Sequence, residues 1–216
     1  MDKREIAILS YEHDASREAY SLEALGEDFE IDIPPENVLM ALCAHHEAQR
    51  LIEEGVEASI LTIGGAAISN KRIVERINEI TNCDIPVEAD NSSNSVASNI
   101  QSLTEYDNPF IIICQKFSKL RTYIHSKYHL GEGKFEIKDW ETYLENNEMG
   151  DFENSLVKEL NQLKHIPLQR KLVEGILTAL AYLDPENGFT TTIALLRQKF
   201  REKNPKDNFF NKAGLG

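Results

Sequence analysis

The chain has 216 residues, 41% of them hydrophobic, which is enough for one sizeable core and at most a domain and a half. Lys and Arg number 23 against 36 Asp and Glu, a formal charge of −13 that repels a phosphate backbone at long range and argues against nucleic acid as the main partner. No run approaches about 20 apolar residues and the opening MDKREIAILSYEHD turns polar too soon for a signal peptide, so the chain reads as soluble, cytoplasmic and without a membrane partner. Cys43, Cys83 and Cys114 lack any metal-ligand spacing and read as reduced thiols, with no metal.

Four short runs are largely apolar and do not alternate: residues 6–9 (IAIL), 59–63 (SILTI), 85–87 (IPV) and 110–114 (FIIIC). Continuous apolar character marks parallel strands covered on both faces. Helical spacing fills the gaps. Val38, Ala41, Leu42, His45, Ala48 and Ile52 step by three and four residues between Pro34-Pro35 and Gly55. His45 falls on that stripe and is expected to be a buried, hydrogen-bonded imidazole. Ile73, Ile77 and Ile80 make a second stripe, and Val96, Ile100 and Leu103 a third. This alternation predicts an α/β fold, an open parallel sheet with helices on both faces.

Beyond Gly131 the pattern changes. GKFEIKDW supplies one more strand, and Phe152 to Leu163 and Leu168 to Leu183 carry apolar stripes of two helices, with a third expected over 191–200. The resulting division is an α/β core over 1–145, a helical C-terminal extension packed on it over 146–204, and a tail over 205–216.

Open parallel sheets bind ligands beyond the carboxyl ends of their strands. The loops expected there begin at Ser10, Gly64, Glu88 and Gln115. Gly64 and Gly65 end a strand, where glycine lets backbone N–H groups approach an anion or simply makes a turn with positive φ. Residues 90–99 are dense in Asp, Asn and Ser, which suits a binding loop or a helix cap equally. Arg121, near Lys116 and Lys119, is the basic cluster at a strand end and could clamp a carboxylate or phosphate. Glu12 and His13 offer an acid and a base in the first loop, with Asp14 beside them. No nucleophile elbow, zinc-helix or Ser-x-x-Lys signature appears.

The order of a helix and strand in EEGVEASILTIGG, a helix, a strand followed by an acid, a Ser/Asn-rich helix start and PFIIICQKFSKLR resembles the SanA, ElyC and YdcF family of bacterial proteins, over roughly residues 38–131. In that family the third loop carries Ser, then Thr, then Asn at intervals of three; Ser93 and Asn99 match, with Val96 in the Thr place and Ser98 where Glu often stands. The strand-end Gly-Gly is matched by Gly64 and Gly65. The last loop retains Arg121, with Ser118 where the family has His. The first loop departs, reading Ser10-Tyr11-Glu12 where the family has a Gly-containing turn.

The resemblance implies a Rossmann-like core and, from the soluble YdcF type, binding of S-adenosylmethionine. The expected function is therefore a small-molecule binder, taking a nucleotide-like ligand with S-adenosylmethionine as one candidate. In that picture Gly64 and Gly65 present N–H groups, Ser93 and Asn99 hold the third loop or touch the ligand, and Arg121 neutralises its anionic group. Glu88 or Asp90 would accept ribose hydroxyls, by analogy with dinucleotide folds. One alternative is a transferase or hydrolase acting on a phosphorylated or glycosyl substrate, with Glu12, His13 or Asp90 as base. Another is a non-catalytic module that docks a partner through the C-terminal helices.

Overall fold

A computed structural model describes residues 3–10, 19–92, 95–163 and 168–186. The apolar runs become strands β1 (Lys3–Leu9), β4 (Glu57–Ile63), β5 (Val87–Asp90) and β6 (Phe110–Cys114), with β7 (Phe135–Asp139) from GKFEIKDW. They form one five-stranded sheet in the order β5-β4-β1-β6-β7, parallel throughout. Counting only these strands, the order is 3-2-1-4-5, which is the dinucleotide-fold order 3-2-1-4-5-6 without its sixth strand. Ile6, Ile8, Ile60, Ile63 and all of β6 are buried, as continuous apolar strands require. Each such Ile contributes about 2 kcal/mol by leaving water.

Connecting helices lie on opposite faces because the chain first steps from β1 to β4 and β5, then reverses to β6 and β7. On one face α1 (Pro35–Glu53) and α2 (Ala67–Thr81) cover Ile8, Ile60, Ile111 and Ile113. On the other, α3 (Val96–Ser102) covers Leu9, Ile63 and Ile112, and α4 (Lys119–His129) packs beside it. Then α5 (Trp140–Asn146) and α6 (Asp151–Leu163) pack on α1, with Leu156 and Leu160 fully buried in the α1 core. The last described helix, α7 (Leu168–Leu183), packs instead on α4, across the sheet. The helix expected over 191–200 and the tail lie outside the described residues.

Three elements depart from the sequence reading. The third strand is Val87–Asp90, not 85–87, because Pro86 has no N–H to give a ladder and its carbonyl instead accepts from Ile60 N at 2.8 Å. A small antiparallel hairpin, β2 (Tyr20–Leu22) with β3 (Gly26–Ile31), precedes α1. Its signal was the alternation of Phe29, Ile31 and Ile33 with acids, a period of two overlooked beside the stronger helical stripes. Finally, Asp139 ends β7 and caps α5 by accepting from Thr142 N at 2.9 Å, so the helix starts at Trp140.

Candidate functional site

Because β1 lies between β4 and β6, the order in which strands are added reverses between β1 and β6, and the carboxyl edge there is where such folds hold ligands. Three of the turns leaving the sheet meet. Ser10 N donates to Ile63 O at 2.7 Å, and Gly64 N donates to Asp90 O at 2.9 Å. Gly64 has φ of 105°, and a Cβ there would stand 2.5 Å from Ser10 O and 2.9 Å from Asn99 Nδ2. Glycine is required by both conformation and crowding. Its N–H is therefore spent on Asp90 rather than offered to a ligand, which corrects the expectation for Gly64; Gly65 beside it is exposed.

Asn99 is buried on α3 against Gly64, so it joins the second turn to the third. The Ser-rich start of α3 is largely a cap: Ser95 Oγ accepts from Ser98 N at 3.1 Å and Ser98 Oγ accepts from Ser95 N at 3.0 Å. Ser93 lies outside the described residues, as do Glu12 and His13. Glu88 and Asp90 sit within the edge strand β5 rather than in the loop after it. Glu88 is exposed, while Asp90 accepts from Ser92 N at 2.9 Å; its bonds to Ser92 hold the carboxyl below its ordinary range. Asp90 thus shapes its own loop.

Arg121 is buried, but not towards a vacant anion position. Its Nε and Nη2 donate to the two carboxylate oxygens of Glu174 on α7, at 2.7 and 2.9 Å, and Glu174 is itself buried. The expected bidentate clamp exists, and it holds the chain's own carboxylate. A cation in the first turn of α4 opposes the helix dipole, and Glu174 offsets that. Lys119 is likewise committed, donating to Asp139 at 2.7 Å. Lys116 N donates to Glu141 at 2.8 Å, and its side chain lies in solvent.

The polar groups that sequence reasoning passed over are Gln115, Asn70 and Glu36. By the β1–β6 register, Ser10 and Gln115 follow Ile8 and Ile113, which are partners, so the two side chains stand on the same face in adjacent strands. Gln115 is wholly buried, yet neither Nε2 nor Oε1 has a hydrogen-bond partner. Asn70, also wholly buried, donates through Nδ2 to Ser10 Oγ and leaves Oδ1 without a partner. Glu36 is buried in the first turn of α1, whose N-terminus reaches the same edge because α1 runs antiparallel to the strands. An unmade hydrogen bond to a buried amide costs about 1–3 kcal/mol; other buried polar atoms, among them Asn78 Oδ1, Thr122 Oγ1 and Ser126 Oγ, are also without a partner, and what sets Gln115 and Asn70 apart is their place at the switch point. The signal available in sequence was position alone: Gln115 is the first polar residue after FIIIC.

A second polar cluster joins α1 to the carboxyl end of β7 and to α5. Glu47 accepts from Tyr143 Oη at 3.0 Å, Lys138 Nζ at 2.9 Å and Arg50 Nη2 at 2.6 Å. Since Tyr143 donates to Glu47, His46 Nδ1–H donates to Tyr143, 2.8 Å away. Burial opposes ionisation of Glu47, but Arg50 and Lys138 hold its carboxyl below the usual range. His45 is buried as expected, 3.3 Å from Thr81 Oγ1, and burial pulls its pKa down to about 4. A cleft of about 280 Å³ between Phe29 and α2 is flanked by Arg72 and Arg76, with Asp28, Glu75 and Glu79; it is a charged surface groove away from the switch point.

These features define a Rossmann-like parallel α/β protein with an unsatisfied polar edge at its topological switch point. Among the described residues no helix is long and apolar enough to cross a membrane, and no group of three His, Cys, Asp or Glu side chains is placed to hold a metal ion. No family model matches the chain, and no curated protein or solved structure matches it.

Proposed function

We propose that this protein binds a small nucleoside-like ligand at the carboxyl edge between β1 and β6. The observation that carries this reading is the open amide of Gln115, a donor and an acceptor side by side, with Asn70 Oδ1 open on the neighbouring helix. A carboxamide matches the edge of a nucleobase with two parallel hydrogen bonds, and such a pair discriminates by about 1–3 kcal/mol. Asn99 and Gly64 hold the adjoining turns, and Ser10 orients Asn70. The loop resemblance to the SanA, ElyC and YdcF family supports S-adenosylmethionine as a specific candidate, since its adenine presents the same edge. Glu88 and Asp90, the acids assigned to ribose hydroxyls in this picture, lie on the edge strand β5, one strand beyond β4.

Ligand entry requires the edge to open, because Gln115 is covered in the free chain. Melting temperature measured with millimolar adenosine and S-adenosylmethionine is the test. Binding at about 100 times Kd adds about 2.7 kcal/mol of stability. Wild type is expected to shift with at least one of the two and Gln115→Leu with neither; no shift in wild type with either compound removes the proposal.

A further inference from the structure

Apart from the Lys116 ammonium, which lies in solvent, the anion positions at this edge are filled from within. Glu174 takes both forks of Arg121, and Glu141 takes the Lys116 N–H at the start of the turn leading into α4. Lys119 is closed on Asp139, and Gly64 N–H on Asp90 O. Among the described residues Arg121 is the guanidinium in the first turn after β6, and its charge is met by Glu174. The open groups, by contrast, are uncharged amides: Gln115 Nε2 and Oε1 and Asn70 Oδ1.

Building on the site proposed above, we infer that it takes an uncharged or cationic nucleoside-like ligand and rejects the phosphorylated form, with Glu174 as the residue that sets this choice. A phosphate arriving at this edge meets two carboxylates where its counter-charges would be. To reach Arg121 it must displace Glu174, and a bidentate guanidinium–carboxylate pair shielded from water exchanges reluctantly. Selection works by an internal competitor, a repulsive device rather than an added contact. S-adenosylmethionine, whose sulfonium and ammonium outweigh its one carboxylate and which has no phosphate, passes this filter; nucleoside mono- and diphosphates do not.

Calorimetric titration of the full chain with adenosine and with adenosine 5′-monophosphate, at low salt where electrostatic terms are least screened, decides the matter. Wild type is expected to bind adenosine at least about tenfold more tightly than the monophosphate. In Glu174→Gln, which keeps the shape and removes the charge, that ratio is expected to fall by about tenfold or more as Arg121 becomes available. Equal or tighter binding of the monophosphate by wild type overturns the inference while leaving the site itself standing, as does an unchanged ratio in folded Glu174→Gln. Should that variant fail to fold, the wild-type ratio alone decides. If neither compound binds, the site proposal falls and this inference with it.

Discussion

Two buried polar clusters border helix α1, and they are finished to different degrees. Around Glu47 the bonding closes: Tyr143, Lys138 and Arg50 saturate the carboxylate, and His46 completes the chain of donors. At the carboxyl edge, Gln115 has a donor and an acceptor open and Asn70 an acceptor. Both clusters lie within the fold, so burial does not separate them. Saturation does. A closed network fixes α5 and β7 against α1 and has nothing left to offer, whereas an open one has been left short by about the free energy that a bound partner would restore.

Acid should break both regions and gives the largest effect. Burial pulls the pKa of His45 and of His125 down to about 4, the latter opposed by the bond its Nδ1 donates to Pro185 O. Both imidazoles are neutral in the folded chain, so below pH 6.5 the unfolded chain takes up protons that the folded one refuses. Stability is complete above 6.5 and is lost as pH falls towards 4, by about 3 kcal/mol for each histidine. Urea unfolding at pH 7, 5.5 and 4.5 measures this, and His125→Gln should flatten part of the slope. A flat profile would mean that these rings are not buried as neutral groups.

Glu47→Ala comes next. It leaves Lys138 and Tyr143 facing an empty carboxylate position and should cost about 3 kcal/mol in urea unfolding, because removing one partner of a buried network is worse than never having built it. Gln115→Leu should move the other way. Replacing an unpartnered amide by an apolar side chain of similar size is expected to raise the stability of the free protein by about 1 kcal/mol, while abolishing any ligand shift. Destabilisation of the free protein by this change would close the distinction between the two clusters. The smallest effect is at the cap: Ser95→Ala removes the oxygen that accepts from Ser98 N and should cost about 1 kcal/mol without altering either cluster.

Several features were legible in advance. The runs IAIL, SILTI and FIIIC specified strands buried on both faces; IPV did not, since β5 is an edge strand with no buried residue; and the stripe from Val38 to Ile52 specified α1, with His45 inside. Arg121 was visible as the cation at a strand end, and Gly64 as a turn. What the pattern did not carry was partnership. The mate of Arg121 lies 53 residues away on a helix that crosses to the opposite face of the sheet from α6, and nothing in KFSKLR announces it. Glu88 and Asp90 looked like loop residues because IPV looked like the whole strand, until Pro86 displaced the ladder by two positions.

The sequence by itself determined the layering of this protein, because burial on two faces and helical amphipathicity are written in the spacing of neighbouring residues. Only the tertiary structure decided which polar groups are spent and which are left open: Arg121 closed on Glu174, Gly64 N–H closed on Asp90, Gln115 and Asn70 incomplete. The physical reason is that a hydrogen bond or ion pair is settled by distance in space between segments far apart in the chain, and the local residue pattern holds no record of that distance.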